Sequence, residues 1–205
     1  MALAAGIRTG PIIHYLIGYA SFGAGYIAYM TFMIAYVRNA GGGTMAQSAF
    51  WTCIGIGAFV QPWVWSGAMA KAASGRLAAA LRAITAIGAL IPLVGNTPFL
   101  LAISAIIFGN AFFAVTSSAT AFIRLNYPPS AWPHSIARMT LSFGIGQTLG
   151  PIATGAMTDA SGSLSYALNV SAAMLVAGAI ACMIHAVTTT DGTPRSQPLQ
   201  RGGSA

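Results

Sequence analysis

Residues 144–151 read GIGQTLGP, and 89 residues earlier residues 55–62 read GIGAFVQP. Each copy writes Gly-Ile-Gly, four residues and a proline. The surroundings repeat as well. Phe22-Gly23-x-x-Tyr26-x-Ala28 returns 86 residues on as Phe108-Gly109-x-x-Phe112-x-Ala114. Gly67-Ala68-Met69 returns 88 residues on as Gly155-Ala156-Met157. Three matches in order at a nearly constant offset describe a chain built from two related halves.

Composition fixes the solvent around those halves. Hydrophobic residues make up 56% of the chain, charged residues 5%, and glutamate is absent. A soluble domain carries about 25% charged residues, because its surface must stay hydrated. Eleven charged side chains cannot cover a soluble surface of 205 residues, so the sequence describes a membrane protein. A helix needs roughly 20 mostly apolar residues to cross the bilayer. The apolar runs predict six such helices, at about 12–37, 46–69, 78–95, 98–122, 136–157 and 164–187. The runs are continuously apolar and do not alternate, which indicates helices and not a barrel.

The expected organisation follows: an N-terminal segment 1–11, a first three-helix unit 12–95, a second unit 98–187, and a polar, Pro/Gly-rich tail 188–205 expected to be disordered. Three crossings per unit place the second unit upside down relative to the first, an all-α polytopic fold with a 3+3 inverted repeat. Both termini then share one side with Arg8, Lys71, Arg76, Arg82, Arg124, Arg138, Arg195 and Arg201, against Arg38 and Asp159 on the other. That bias makes the shared side cytoplasmic and the protein multi-pass in the cell (inner) membrane. Lys71, Arg76, Arg82 and Arg124 read as cytoplasmic-loop anchors. The basic residues are scattered among short loops and form no continuous stripe for nucleic acid. The first apolar run is too long for a cleavable signal peptide.

The chain resembles the carboxy-terminal six-helix half of a major facilitator superfamily (MFS) transporter. The likeness rests on YASFGAGYIAYMTF (19–32), the basic loop Lys71–Arg76, and GQTLGP (146–151) followed by Gly155. Only Gly75-Arg76 matches the usual loop signature well, and its acidic position is missing. The resemblance implies alternating access to a small organic solute between two six-helix lobes. This chain supplies one lobe, so a second copy or a partner chain would supply the other. Alternatives are a non-transporting assembly subunit or a partial transporter and, more remotely, a small channel, although paired Asn-Pro-Ala loops and charged rings are absent.

Polar groups inside a span are costly and point to function. Tyr15, Tyr19, Phe22, Tyr26, Met30 and Met33 share one face of the first helix at helical spacing. In MFS-like halves the first helix of each unit lines the cavity, so Tyr19, Tyr26 and Met30 are candidates to line a substrate cavity, or else form a packing ridge. Asn110, Phe113 and Ser117 share a face of the fourth helix. Asn110 either meets substrate or makes an interhelical hydrogen bond. Gln147 lies beside the second Gly-Ile-Gly. Gly55, Gly57 and Pro62, with Gly146, Gly150 and Pro151, are expected to form close-packed, bent helices at a moving interface.

His14, His134 and His185 read as interfacial, Cys53 and Cys182 as packing residues, and no residue set suggests catalysis, a metal or a cofactor. With no fixed counter-charge expected within the spans, an amphipathic or aromatic solute is expected over a highly charged one.

Overall fold

The computed structural model describes residues 9–39 and 41–190, and these form six long helices. They are α1 (Thr9–Asn39), α2 (Thr44–Met69), α3 (Arg76–Val94), α4 (Pro98–Asn126), α5 (Trp132–Ser161) and α6 (Leu164–Thr190). The tail beyond 190 and the segment before Thr9, with Arg8, Asp191, Arg195 and Arg201, lie outside the described residues.

Local chemistry sets the boundaries. Thr97 caps α4, its hydroxyl accepting from the Leu100 N–H, and Pro98 occupies the first turn, where no N–H is needed. Gly75 ahead of α3 and Gly162 after α5 sit at φ 76° and 66°, a left-handed region costly for other residues. Pro62, Pro92 and Pro151 lie inside helices that continue through them. Pro92 cannot donate to the carbonyl of Gly88 one turn back. The Ser104 hydroxyl of α4 donates to that carbonyl instead, at 2.7 Å. Its own oxygen accepts from the Tyr29 hydroxyl of α1, also at 2.7 Å. The carbonyl that proline leaves open thus ties α3, α4 and α1 together where no water can serve.

Among the described residues, α1, α3, α4 and α6 are long and apolar enough to cross a membrane. The expected six spans are therefore six helices, of which four meet that standard. α2 and α5 are as long, but Gln47, Ser48 and Gln61 dilute the first, and His134, Arg138, Gln147 and Asp159 the second. α6 runs to Thr190, past the start expected for the tail.

The helices pack across the two halves of the sequence. α1 lies against α5 and α6, α4 against α2 and α3, and α3 against α6, while α1 and α2 barely touch. Tyr15 stacks on Phe122, Tyr26 on Phe112 and Tyr29 on Phe108, with centroids 4.4, 4.5 and 4.2 Å apart. One number rises as the other falls, so α1 and α4 are antiparallel.

Close backbone contacts hold the other pairs. A β-carbon at Gly57 of α2 would collide with the backbone of Ile106 and Asn110 of α4, and one at Gly109 of α4 with Ile54 of α2. Likewise Gly146 and Gly150 of α5 abut Ala20 and Ala24 of α1, and Gly23 of α1 abuts Phe143 of α5. Gly88 of α3 meets Phe108 of α4, and Gly178 of α6 meets Phe22 of α1. Gly55 has nothing within 4 Å; it faces outward and takes no part in the packing expected of it.

Candidate functional site

The aromatic face of α1 points into the bundle. Tyr15, Tyr19, Phe22, Tyr26 and Met33 are all buried and Met30 partly so. They pack as the ridge that was the other reading of this face. Tyr26 lies between Phe112 of α4 and Phe143 of α5, with ring centroids 4.5 and 5.4 Å away. Its hydroxyl accepts a hydrogen bond from the Gln147 amide. Gln147 is thus joined to Tyr26, and this half-buried corner between α1 and α5 is where two of the expected residues meet.

The α4 residues lie elsewhere. The Asn110 carbonyl accepts from the Trp65 indole N–H at 2.7 Å, and its amide donates to the Gly57 carbonyl at 3.1 Å. The interhelical alternative accounts for its polarity, with α2 as the partner. Phe113 is 43% exposed on the outer face of α4, and the Ser117 hydroxyl donates to its carbonyl, one turn back in the same helix. Among the described residues, Asn110 is thus engaged by α2, while Phe113 and Ser117 lie on an exposed face of α4. A groove of about 540 Å³ opens at the Arg38 end, between Gly41–Gly43, Met45, Phe50, Asn96 and Leu101.

Asn110→Leu is expected to strand the Trp65 N–H and lower unfolding stability by about 1–2 kcal/mol. Ser117→Ala, which removes only a bond within one helix, is expected to cost less than about 0.5 kcal/mol. Thermal or SDS unfolding of the two variants side by side checks the difference.

Arg82 departs furthest from expectation. It sits in the second turn of α3, not in a loop, and is 0% exposed. Its position shares a face with Ala78, Thr85, Ala86 and Ala89, all buried, so helical period carries it inward with them. The guanidinium lies 5.1 Å from the Tyr15 ring, 5.5 Å from Tyr19 and 6.0 Å from Phe22. None of its three nitrogens makes a hydrogen bond of good geometry among the described residues. The Cys182 thiol of α6 is a close polar neighbour. His185, expected at the interface, is buried here too, edge-on to Tyr15 and Phe122 at 5.5 and 5.4 Å. The sequence signal for this cluster was present: an arginine four residues inside an apolar span, facing alanines.

The other basic residues among those described keep to the ends. Lys71 and Arg76 flank the one-turn helix Ala72–Ser74, and Arg124 lies in the last turn of α4 over the Trp132 ring at 5.1 Å. The Asn126 amide donates to the Ala73 carbonyl at 2.9 Å, which brings these segments to one end of the bundle. Tyr36, Asn39, Asn96 and Ser163 gather at the other. Both cysteines are free thiols, Cys182 buried and Cys53 half-buried.

Residues 3–183 match the family described as uncharacterised MFS-type transporter YbfB. No curated protein and no solved structure matches the chain. The chain belongs to this MFS family, a family of multi-pass membrane transporters and not of enzymes.

Proposed function

We propose that this chain is one six-helix lobe of a secondary transporter that moves a small organic solute by alternating access, with a second copy or a partner chain as the other lobe. The observation that carries the reading is the reciprocity of the glycine contacts. Gly57 meets Ile106 as Gly146 meets Ala20, and Gly109 meets Ile54 as Gly23 meets Phe143. Gly88 meets Phe108 as Gly178 meets Phe22. Each second contact is the first with its two helices exchanged for their counterparts, at offsets of 86, 89 and 90 residues for α1/α4, α2/α5 and α3/α6. Tyr26 and Phe112, themselves 86 residues apart, stack on each other, as residues on a two-fold axis would. This supports two inverted units at 12–95 and 98–187 and six crossings. Such units interconvert by exchanging conformations, which opens a central site to each face in turn.

The exposed faces of α2 and α5 support a second lobe. Among the described residues α2 and α5 are the two long helices that fall short of the standard for a membrane span, yet they expose long, mostly apolar faces, with Phe59, Trp63, Leu141 and Leu149 beside Thr52, Ser66, Thr140 and Thr148. A second lobe would cover those faces. Lys71, Arg76, Arg124 and Arg138 favour one end of the bundle, so the positive-inside bias survives the loss of Arg82 from its loops. It orients both termini to the cytoplasm.

The test needs no known substrate. Spin labels at Ala73→Cys, and separately at Asn96→Cys, in a cysteine-free chain report the distance to the second lobe at each end. Alternating access predicts two populations, short at one end where long at the other. A single fixed distance at both ends supports the assembly subunit instead.

A further inference from the structure

We infer that Arg82 is an anion receptor, and that the solute carried by this lobe bears a single carboxylate on an apolar or aromatic body. The inference rests on the transport reading and replaces the expectation that the spans hold no counter-charge. A guanidinium has five N–H donors and does not deprotonate in proteins. Around Arg82 the cation meets three aromatic faces, which attract its charge but accept none of its hydrogen bonds well. Among the described residues its buried nitrogens make no hydrogen bond of good geometry, and the neighbouring Cys182 thiol is at most a weak partner. Polar groups so buried are normally paired, and Asp159, the carboxylate residue among those described, ends α5 at the opposite end of the bundle.

The missing acceptor must fit a planar fork, and a carboxylate does so through two parallel bonds. One cation neutralises one charge, so a monoanion fits and a dianion leaves a charge buried. The surrounding Tyr15, Tyr19 and Phe22 suit an apolar or aromatic remainder. Tyr19 is the way in. Its ring lies between Arg82, at 5.5 Å, and the half-buried Phe143, at 5.0 Å, and its edge retains 6% exposure. Movement of that side chain is the entry the proposal requires, since Tyr15 and Phe22 are fully buried. A lipid headgroup is the poorer source of the anion, because α1, α3 and α6 enclose the site.

The test compares benzoate with its neutral isostere benzamide, using thermal unfolding of the purified full chain in a non-ionic detergent. Benzoate is expected to raise the Tm by several degrees and benzamide to leave it unchanged. Arg82→Met is expected to abolish the benzoate response. Arg82→Lys, which keeps the charge and loses the fork, is expected to weaken binding about tenfold, the loss of one charge-assisted bond. Equal responses to the two ligands, none to benzoate, or an undiminished benzoate response in Arg82→Met would overturn the proposal. So would phosphatidylglycerol that reproduces the rise and abolishes the benzoate response, since the anion would then be a lipid's. A chain that alternates between its two faces yet ignores benzoate loses this inference alone. A chain that binds benzoate with fixed distances at both ends loses the transport reading.

Discussion

Gly146→Val is expected to destabilise the bundle by about 3 kcal/mol or more, the upper range for overpacking a tight contact. The β-carbon alone would overlap the Ala20 carbonyl oxygen, and a carbonyl in a rigid helix cannot swing aside as a side-chain tip can. α1 and α5 would have to part along their length, losing the Gly150–Ala24 approach as well. Against a total stability of roughly 5–15 kcal/mol, that loss should show as aggregated protein on extraction or a Tm many degrees lower. The control lies in the same motif. Gly55→Ala meets open space and is expected to be neutral or to stabilise by up to about 1 kcal/mol through helix propensity. Equal Tm values for the two variants would remove the close-packed seam from the account.

Arg82→Met is expected to stabilise the ligand-free chain by about 1–4 kcal/mol, the range seen when buried ionic groups give way to apolar ones. The sign follows from comparing two terms. A buried, unpaired cation costs several kcal/mol in lost hydration even after relaxation. A desolvated aromatic face returns about 2 kcal/mol when close and well aligned, but the three here lie 5.1, 5.5 and 6.0 Å from the guanidinium, toward the limit of that interaction's range, so they offset the cost only in part. Met fills much of the same volume and needs no acceptor. A rise in the midpoint of thermal or SDS unfolding checks the prediction. A fall comparable to that of a core truncation would mean that the rings fully compensate the charge.

Much of the fold was legible because its determinants are local. Apolar runs broken by Arg38–Thr44, Lys71–Arg76, Gly95–Pro98, Arg124–His134 and Thr158–Ser163 locate helices of bilayer length. The doubled Gly-Ile-Gly marked α2 and α5. Sequence did not tell which glycine of each pair packs, since Gly55 and Gly57 differ only in the direction they face. The third helix of each unit carries no matching motif in the sequence; what the two share is one glycine each, Gly88 and Gly178, recognisable only by what it touches.

The site was less legible. The face of Tyr19 and Tyr26 was readable, but a face does not say whether it meets a cavity or another helix. Asn110 left two readings open, because Trp65 lies 45 residues away on another helix. Arg82 was misread because an arginine near a span's end ordinarily snorkels to the interface. The aromatic ridge of α1 sits opposite this one, and only the packing of α3 brings them together.

The central claim is that this lobe works against a second one. The most direct measurement is the protein mass of the complex extracted from native membranes, by light scattering corrected for detergent, after cross-linking in place. The account predicts a particle of about twice 20.9 kDa if a second copy is the other lobe, or 20.9 kDa plus a similar six-helix partner. A stable particle of 20.9 kDa alone, with nothing cross-linked to it, would contradict the two-lobed transporter.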